Sequence, residues 1–571
     1  MCRKLRVGVM AASSGSFEGW EAYILSQLRE ESGIEWVTVV QHQEPDSAPR
    51  AFAGKLRRNW RRIPSALALR IMNGIDSFLS RSAYRSIGEF DVDARYPVSK
   101  LLPDVPVLRV TPSETASRLV QRFDEETLER IAALQLDLLI RFGFKILRGK
   151  ILTVARFGII SYHHADNRVN RGGPCAFWEV YDDLEETGAT LQVLTDELDG
   201  GVVLRRGIYP THRYSWNGNR RRLRAASTWL MIDAIRELAR ERKWAPLPDC
   251  RPIGIYSHRL YVAPRLDQSI AFVLKLGHRL LADVISRVFA MRQWRIRYQV
   301  SAVFGPCAPS AAPVGLVLRK MEELIPPRDR FFADPFLFVR NGALYLFVED
   351  FARSTRKGVI TWFVWTGNSW RCGGVALECP YHLSYPFVFE YRDRIFMIPE
   401  TSAAGRVELW EADPFPDRWK LARVLLDGVR AVDSTLLARG EILYLFTNLD
   451  RSGVGDPGTE LHIYCTDDLL DGRWVPHPRN PVIQDCRVAR NAGGFFVDSQ
   501  GRLIRAAQIN GSGYGKGLVL RKVDRLSPTE YEESTAEMVE PRWAGNLAGM
   551  HHMHFVQGSA VMDSLHRIRR F

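Results

Sequence analysis

The apolar positions at the start of the chain fall in short continuous runs separated by polar turns, a pattern of strands buried on both faces. Residues 5–12 predict a first strand, 17–31 a helix and 34–41 a second strand, the alternation of a doubly wound α/β sheet. A basic, irregular stretch across roughly residues 45–100 reads as an insertion. A helix near 124–135 then leads into the apolar strand Leu136-Asp-Leu-Leu-Ile-Arg-Phe142, which ends at Gly143. This first domain is placed at residues 1–260.

Between 265 and 295, Ile270, Val273, Leu274, Leu281, Val284, Ile285 and Val288 keep helical spacing, with Lys and Arg on the other face. The stretch reads as a connector helix, with a basic amphipathic helix on a membrane surface as the alternative. The proline-rich segment Pro306–Pro313 marks a boundary, because such sequence resists helix and core packing. The connector is placed at 261–315 and a second domain at 316–571.

In that second domain the periodicity changes to strand, turn, strand. The units beginning Asp334-Pro-Phe, Tyr385-Pro-Phe and Asp433-Ser-Thr align over fourteen positions, each with a turn near its middle. Two weaker copies begin at Ala492 and His551, with starts spaced roughly 50–60 residues apart. Strands of this pattern cannot bury their apolar faces alone, and radial stacking of small sheets leaves only short edges. The expected fold class is therefore multidomain: an α/β doubly wound domain followed by an all-β five-bladed propeller.

Charge adds one constraint. The 571 residues carry 78 Lys+Arg against 65 Asp+Glu, a net +13, which favours anionic partners. Nucleic acid is not expected, since the basic runs at 55–62 and Arg220-Arg-Arg222 lack the aromatic spacing of a recognition module. The eight cysteines are scattered and predict neither disulfides nor a structural zinc site. The basic N-terminus lacks the apolar run of a signal peptide, and no uncharged stretch is long enough for a membrane span. A cytoplasmic protein is expected; its oligomeric state is left open.

The first chemical constellation comprises Ser161-Tyr-His163-His164, Arg171-Gly-Gly-Pro174, Glu186-Thr-Gly-Ala-Thr190 and Leu198-Asp199-Gly-Gly201. In order and type these motifs resemble the folate-dependent formyltransferases, including those acting on methionyl-tRNA and amino sugars. The resemblance implies 10-formyltetrahydrofolate as cofactor and His163 and Asp199 as the groups that handle the proton and the tetrahedral intermediate. Ser161 stands where that family has its catalytic asparagine, and one lost oxyanion donor typically costs about 10²–10³ in rate. Phe142, Gly143, Phe144, Ile146 and Leu147 would form the flat slot for the pterin, although core packing explains these aromatics equally well.

The second constellation opens with Phe332-Ala-Asp334-Pro-Phe336, which resembles the first blade of five-bladed furanosidase-type glycoside hydrolases and implies Asp334 as a general base. Asp334, Glu400, Asp433, Arg490, His552 and His554 are the candidates to face a central funnel, with Glu349-Asp350 as further acids. The stretch from about 320 to 560 is also similar to the N-terminal domain of plant glucosamine inositolphosphorylceramide transferases. In His551-His-x-His554, strand alternation places His552 and His554 on one face and His551 on the other, with no acidic residue at ligand spacing, so no metal is expected.

Three functions follow from these readings. The first is formyl transfer to an amino sugar, nucleotide sugar or glycolipid in glycan synthesis, with a glycan-handling propeller. The second is a glycoside hydrolase or glycosyltransferase acting through Asp334, with a degenerate formyltransferase-like domain. The third is a noncatalytic glycan-binding protein. None needs a membrane span, although peripheral contact is compatible with all three.

Overall fold

The computed structural model describes residues 3–44, 63–115, 119–244, 259–301, 320–454, 456–511, 513–541 and 547–570. The chain forms two compact units, Met1–Leu281 with Arg451–Gly455, and Ala282–Asp450 with Asp456–Phe571. The division falls within the helix Leu266–Phe289, and the proline-rich boundary expected at 306–313 lies outside the described residues.

Unit 1 is built on a seven-stranded sheet in the order 202–210, 186–193, 159–163, 138–141, 5–11, 34–42, 107–110. The strands from 159–163 to 107–110 are parallel, and the last two, 186–193 and 202–210, run antiparallel. The sheet is therefore mixed rather than purely parallel. Alternation along each strand supplies two cores: Val7, Val9, Leu138 and Ile140 pack with the helices Gly19–Arg29 and Thr228–Glu241, while Met10, Val40 and Leu139 pack with Ile131 and Phe144 on the other face. The strand order reverses between 5–11 and 138–141, the position where ligands of such sheets collect at the carboxyl ends.

The expected irregular insertion is in part ordered. Ile63–Leu79 is a helix, and the buried Asp76 carboxylate accepts backbone N–H groups from Trp216 at 3.1 Å and Asn217 at 2.6 Å. Those are free donors at the start of the helix Trp216–Ala226, which an acidic side chain is suited to cap.

Among the described residues, unit 2 forms five antiparallel sheets. Three are four-strand meanders, at 330–377, 384–427 and 496–539, and a fourth at 431–484 carries an extra short strand. The fifth joins the C-terminal strand Ser559–Arg569 to Ala290–Gln299, which the sequence reading assigned to the connector. That assignment is corrected: the alternation Trp294, Ile296, Tyr298 buries one face of a true strand, and it pairs with the other end of the chain.

Hydrogen bonds between the inner segments link the five sheets in a closed cycle. Tyr385 N–H donates to Asp334 Oδ2 at 3.2 Å, the Tyr385 and Thr435 hydroxyls lie 2.8 Å apart, and Asn491 Nδ2 donates to Asp433 O at 2.8 Å. Met553 N–H then donates to Ala492 O at 2.9 Å, and Leu337 N–H to His554 Nδ1 at 3.1 Å, which returns to the first sheet. The repeat beginning at Ala492 is weak for a local reason. Around 492 the inner strand is reduced to one bridge, Asn491 to Ala507, because Gly493 at φ +126° approaches the Met553 carbonyl so closely that a Cβ would lie 1.9 Å from it.

Candidate active site in the five-sheet unit

Asp334, Tyr385 and Asp433 open the three aligned repeats, and each has left-handed backbone, with φ of +49°, +47° and +50°. At each, two residues of the inner strand oppose one on its neighbour, a β-bulge recurring at the same point in three sheets. Such backbone is uncommon outside glycine and accumulates where side chains are aimed for a purpose. Here it re-aims Asp334 and Asp433 into one cluster.

Asp334 is 4% exposed. His551 bridges it to Asp563, with Nε2 3.3 Å from Asp334 Oδ1 and Nδ1 2.7 Å from Asp563 Oδ2. Asp563 also accepts the backbone N–H groups of His551 at 2.9 Å and His552 at 3.0 Å. Burial works against charge on Asp334, yet its hydrogen bond to His551 and the nearby cations hold it down to about 2. Burial likewise disfavours the His551 imidazolium, but the two carboxylates lift it to about 10. At neutral pH Asp334 is thus an aspartate facing an imidazolium.

The neighbouring acids are driven the other way. Burial, with the Asp433 and Asp334 charges, pushes Glu400 up to about 8. Burial and Asp334 raise Glu349 well above the carboxylate range. Asp433 is fixed by Arg490 Nε at 2.6 Å and Gln508 Nε2 at 3.0 Å, and the Arg490 guanidinium lies 5.0 Å from the Tyr514 ring centroid. At neutral pH the site therefore holds an ionised Asp334 and a protonated, half-buried Glu400, the pairing of base and acid that glycosidic chemistry requires.

Asp334, Glu400, Asp433 and Arg490 lie close enough to shift one another's proton affinities. His552 and His554 are buried parts of the packing: His552 sits edge-on to Phe336 and Tyr385, and His554 accepts the Leu337 N–H. The separation of His551 from His552 is corrected, since both precede the strand Met553–Val556 and both approach Asp334, at 3.3 and 3.6 Å. An acidic partner also exists, in space rather than in spacing. Asp334, His551 and Asp563 present ligand atoms within 4.8 Å of one another, a set able to hold a metal. Sequence reasoning missed Asp563, Gln508 and Tyr385; only Tyr385 had a signal, as the repeat counterpart of Asp334.

In unit 1 the predicted groups also meet. His163 Nε2 donates to the Asn170 carbonyl at 2.7 Å, and Nδ1 lies 3.4 Å from Asp199 Oδ1. Asp199, at φ +51°, accepts the Gly172 N–H at 3.1 Å. Arg141 is the unforeseen member. It donates to Ser161 Oγ at 3.0 Å, to Lys145 O at 2.7 Å and to Phe144 O, and burial pulls its guanidinium down to about 10. Phe142, Phe144 and Leu147 are buried in the two cores, Ile146 is half-buried, and Gly143 at φ +70° passes close to Ala12. Their side chains are committed to packing, which leaves a ligand mainly backbone groups.

Residues 299–560 match the family described as glucosamine inositolphosphorylceramide transferase 1, N-terminal. The resemblance seen over about 320–560 is met and extends to 299. Glucosamine inositolphosphorylceramide transferase 1 of Arabidopsis thaliana is 38% identical over 208 residues, 36% of this chain and 27% of that protein. The chain thus spans about a quarter of that relative's length. Among solved structures, glycinamide ribonucleotide transformylase 1 from Symbiobacterium toebii is 20% identical, covering 42% of this chain and 91% of its own, with a TM-score of 0.28. A family 117 glycoside hydrolase from Zobellia galactanivorans is 12% identical, covering 49% and 91%, with a TM-score of 0.31.

Proposed function

We propose that unit 2 is a five-bladed propeller that catalyses glycosyl transfer on a glycan or glycolipid, and that unit 1 is a formyltransferase-like domain retained for binding rather than formyl transfer. The observation that carries the reading is the opposite protonation of Asp334 and Glu400 in one cluster. Asp334 acts as the base toward the incoming hydroxyl, and Glu400 donates a proton to the departing oxygen. Burial raises Asp433 too, against the pull of Arg490; after burial, Asp433 is the main neighbour that favours the protonated Glu400, and Arg490 works against it. The matched region shares its family with proteins named as glucosamine inositolphosphorylceramide transferases, which supports a glycolipid as the substrate class. In unit 1, Arg141 engages the Ser161 hydroxyl and His163 is tied at both nitrogens, which favours a site without turnover.

The test is product analysis by mass spectrometry with a panel of glycosides and glycolipids, in buffer containing 10-formyltetrahydrofolate, with and without an acceptor sugar. Wild type and His163→Ala are expected to turn over alike, and Asp334→Asn and Glu400→Gln to be inactive. Formylated product lost in His163→Ala would reverse the assignment.

A further inference from the structure

Away from the Asp334 cluster, unit 2 has a cavity of about 630 Å³ whose wall includes Arg287, Arg292, Arg353, Arg356, Arg567 and Arg570. They come from three separate parts of the chain: the end of the helix with the strand that follows it, the turn after 330–352, and the C-terminal strand. One acid, Asp283, lines the same wall, and it is paired with Arg287 at 2.8 Å. Among the described residues the other five arginines have no carboxylate partner. Two are held by backbone carbonyls instead, Arg570 by that of Arg287 at 2.9 Å and Arg353 by that of Arg292. Carbonyls position a guanidinium without cancelling its charge.

Arg353 shows the consequence. Its Nε is buried with no hydrogen-bond partner, and burial together with the Arg570 charge lowers its affinity for its own proton. Gathering like charges around a hollow is unfavourable unless an anion fills it, and the planar, multiply donating guanidinium suits phosphate oxygens in particular.

Beside this wall runs an apolar stripe. Val284, Val288 and Phe289 are 56, 45 and 66% exposed; Val284 and Val288 lie one step round the helix from Asp283 and Arg287, and Phe289 follows Val288 at the helix end. A soluble phosphate would have no use for such a stripe. An anionic lipid surface matches both features, presenting phosphate at headgroup depth and acyl chain immediately beneath. We propose that the arginine cavity binds the phosphate of an anionic phospholipid headgroup while Val284, Val288 and Phe289 enter the acyl boundary. No helix among the described residues is long and apolar enough to cross a membrane, so this contact is peripheral. The inference goes beyond the glycosyl-transfer reading and does not depend on it.

The experiment is co-sedimentation of the full chain with vesicles of phosphatidylcholine alone and of phosphatidylcholine with an equal part of phosphatidylserine. Binding is expected to the mixed vesicles only, and to weaken with salt. Arg356→Gln with Arg567→Gln removes two exposed side chains that make no hydrogen bond among the described residues, so folding is retained, as circular dichroism will verify. This pair is expected to weaken vesicle binding at least tenfold, and Val288→Asp with Phe289→Asp to do the same. Failure of the wild type to sediment with the mixed vesicles, or equal binding by the arginine pair, overturns the proposal. So does calorimetric binding of inorganic phosphate without vesicle binding, which would assign the cavity to a free phosphate.

Discussion

The backbone N–H of Tyr385 donates to Asp334 Oδ2 at 3.2 Å, joining the bulge residues of two successive sheets. Asp334 is therefore held from both sides, by the second sheet through Tyr385 and by the fifth through His551. Replacing it with asparagine keeps the shape and removes the base. The Asp334→Asn variant is expected to lose about 10²–10⁴ in kcat, the usual range for a general acid or base, measured as initial rates on the substrate found in the product screen.

The two carboxyls set a pH window. Asp334 must be ionised and Glu400 protonated, so activity is expected to hold through neutrality and fall as pH rises through about 8, where Glu400 loses its proton. A kcat/KM profile checks this. An alkaline limb unchanged in Glu400→Gln with residual activity would remove Glu400 as the acid.

His551 links stability to pH in a definite direction. Its folded value of about 10 lies above the ordinary 6.5, so the stabilisation is fully present below 6.5 and is lost as pH rises through about 10. Urea unfolding midpoints are expected to fall across that range. Asp563→Asn, less stable at the outset, should show a smaller fall because the main carboxylate lifting His551 is gone.

Arg505 and Glu533 form a buried ion pair at 2.8 Å, with side chains 1 and 3% exposed. Arg521 Nε also pairs with Glu533, at 2.8 Å, so Arg505→Ala leaves that carboxylate one cation and is expected to cost less than the roughly 3–5 kcal/mol of a fully stranded charge, by chemical denaturation. Glu533→Leu takes the carboxylate from two cations, Arg505 and Arg521, and is expected to cost more than Arg505→Ala in the same measurement.

Calorimetry of the full chain with 5-formyltetrahydrofolate tests unit 1. The expected result is no heat of binding, since Arg141 engages Ser161 and the aromatics belong to the cores. Binding that disappears in His163→Ala would restore the folate reading.

Local pattern was enough for much of this protein. The first strands and helices, the motifs around His163 and Asp199, and the three strong repeats were legible because each rests on spacing within a few residues. The alignment put Asp334, Tyr385 and Asp433 at equivalent positions, but neither the bulges there nor their left-handed backbone was legible in it. Tertiary structure alone decided the rest. It placed Asp563 and His551 on Asp334, Arg141 on Ser161, and strand 290–299 against the C-terminus, contacts that span up to 279 positions. It also fixed which acids are charged, because a carboxyl's proton affinity follows from burial and neighbouring charge, and neither quantity is a property of sequence spacing.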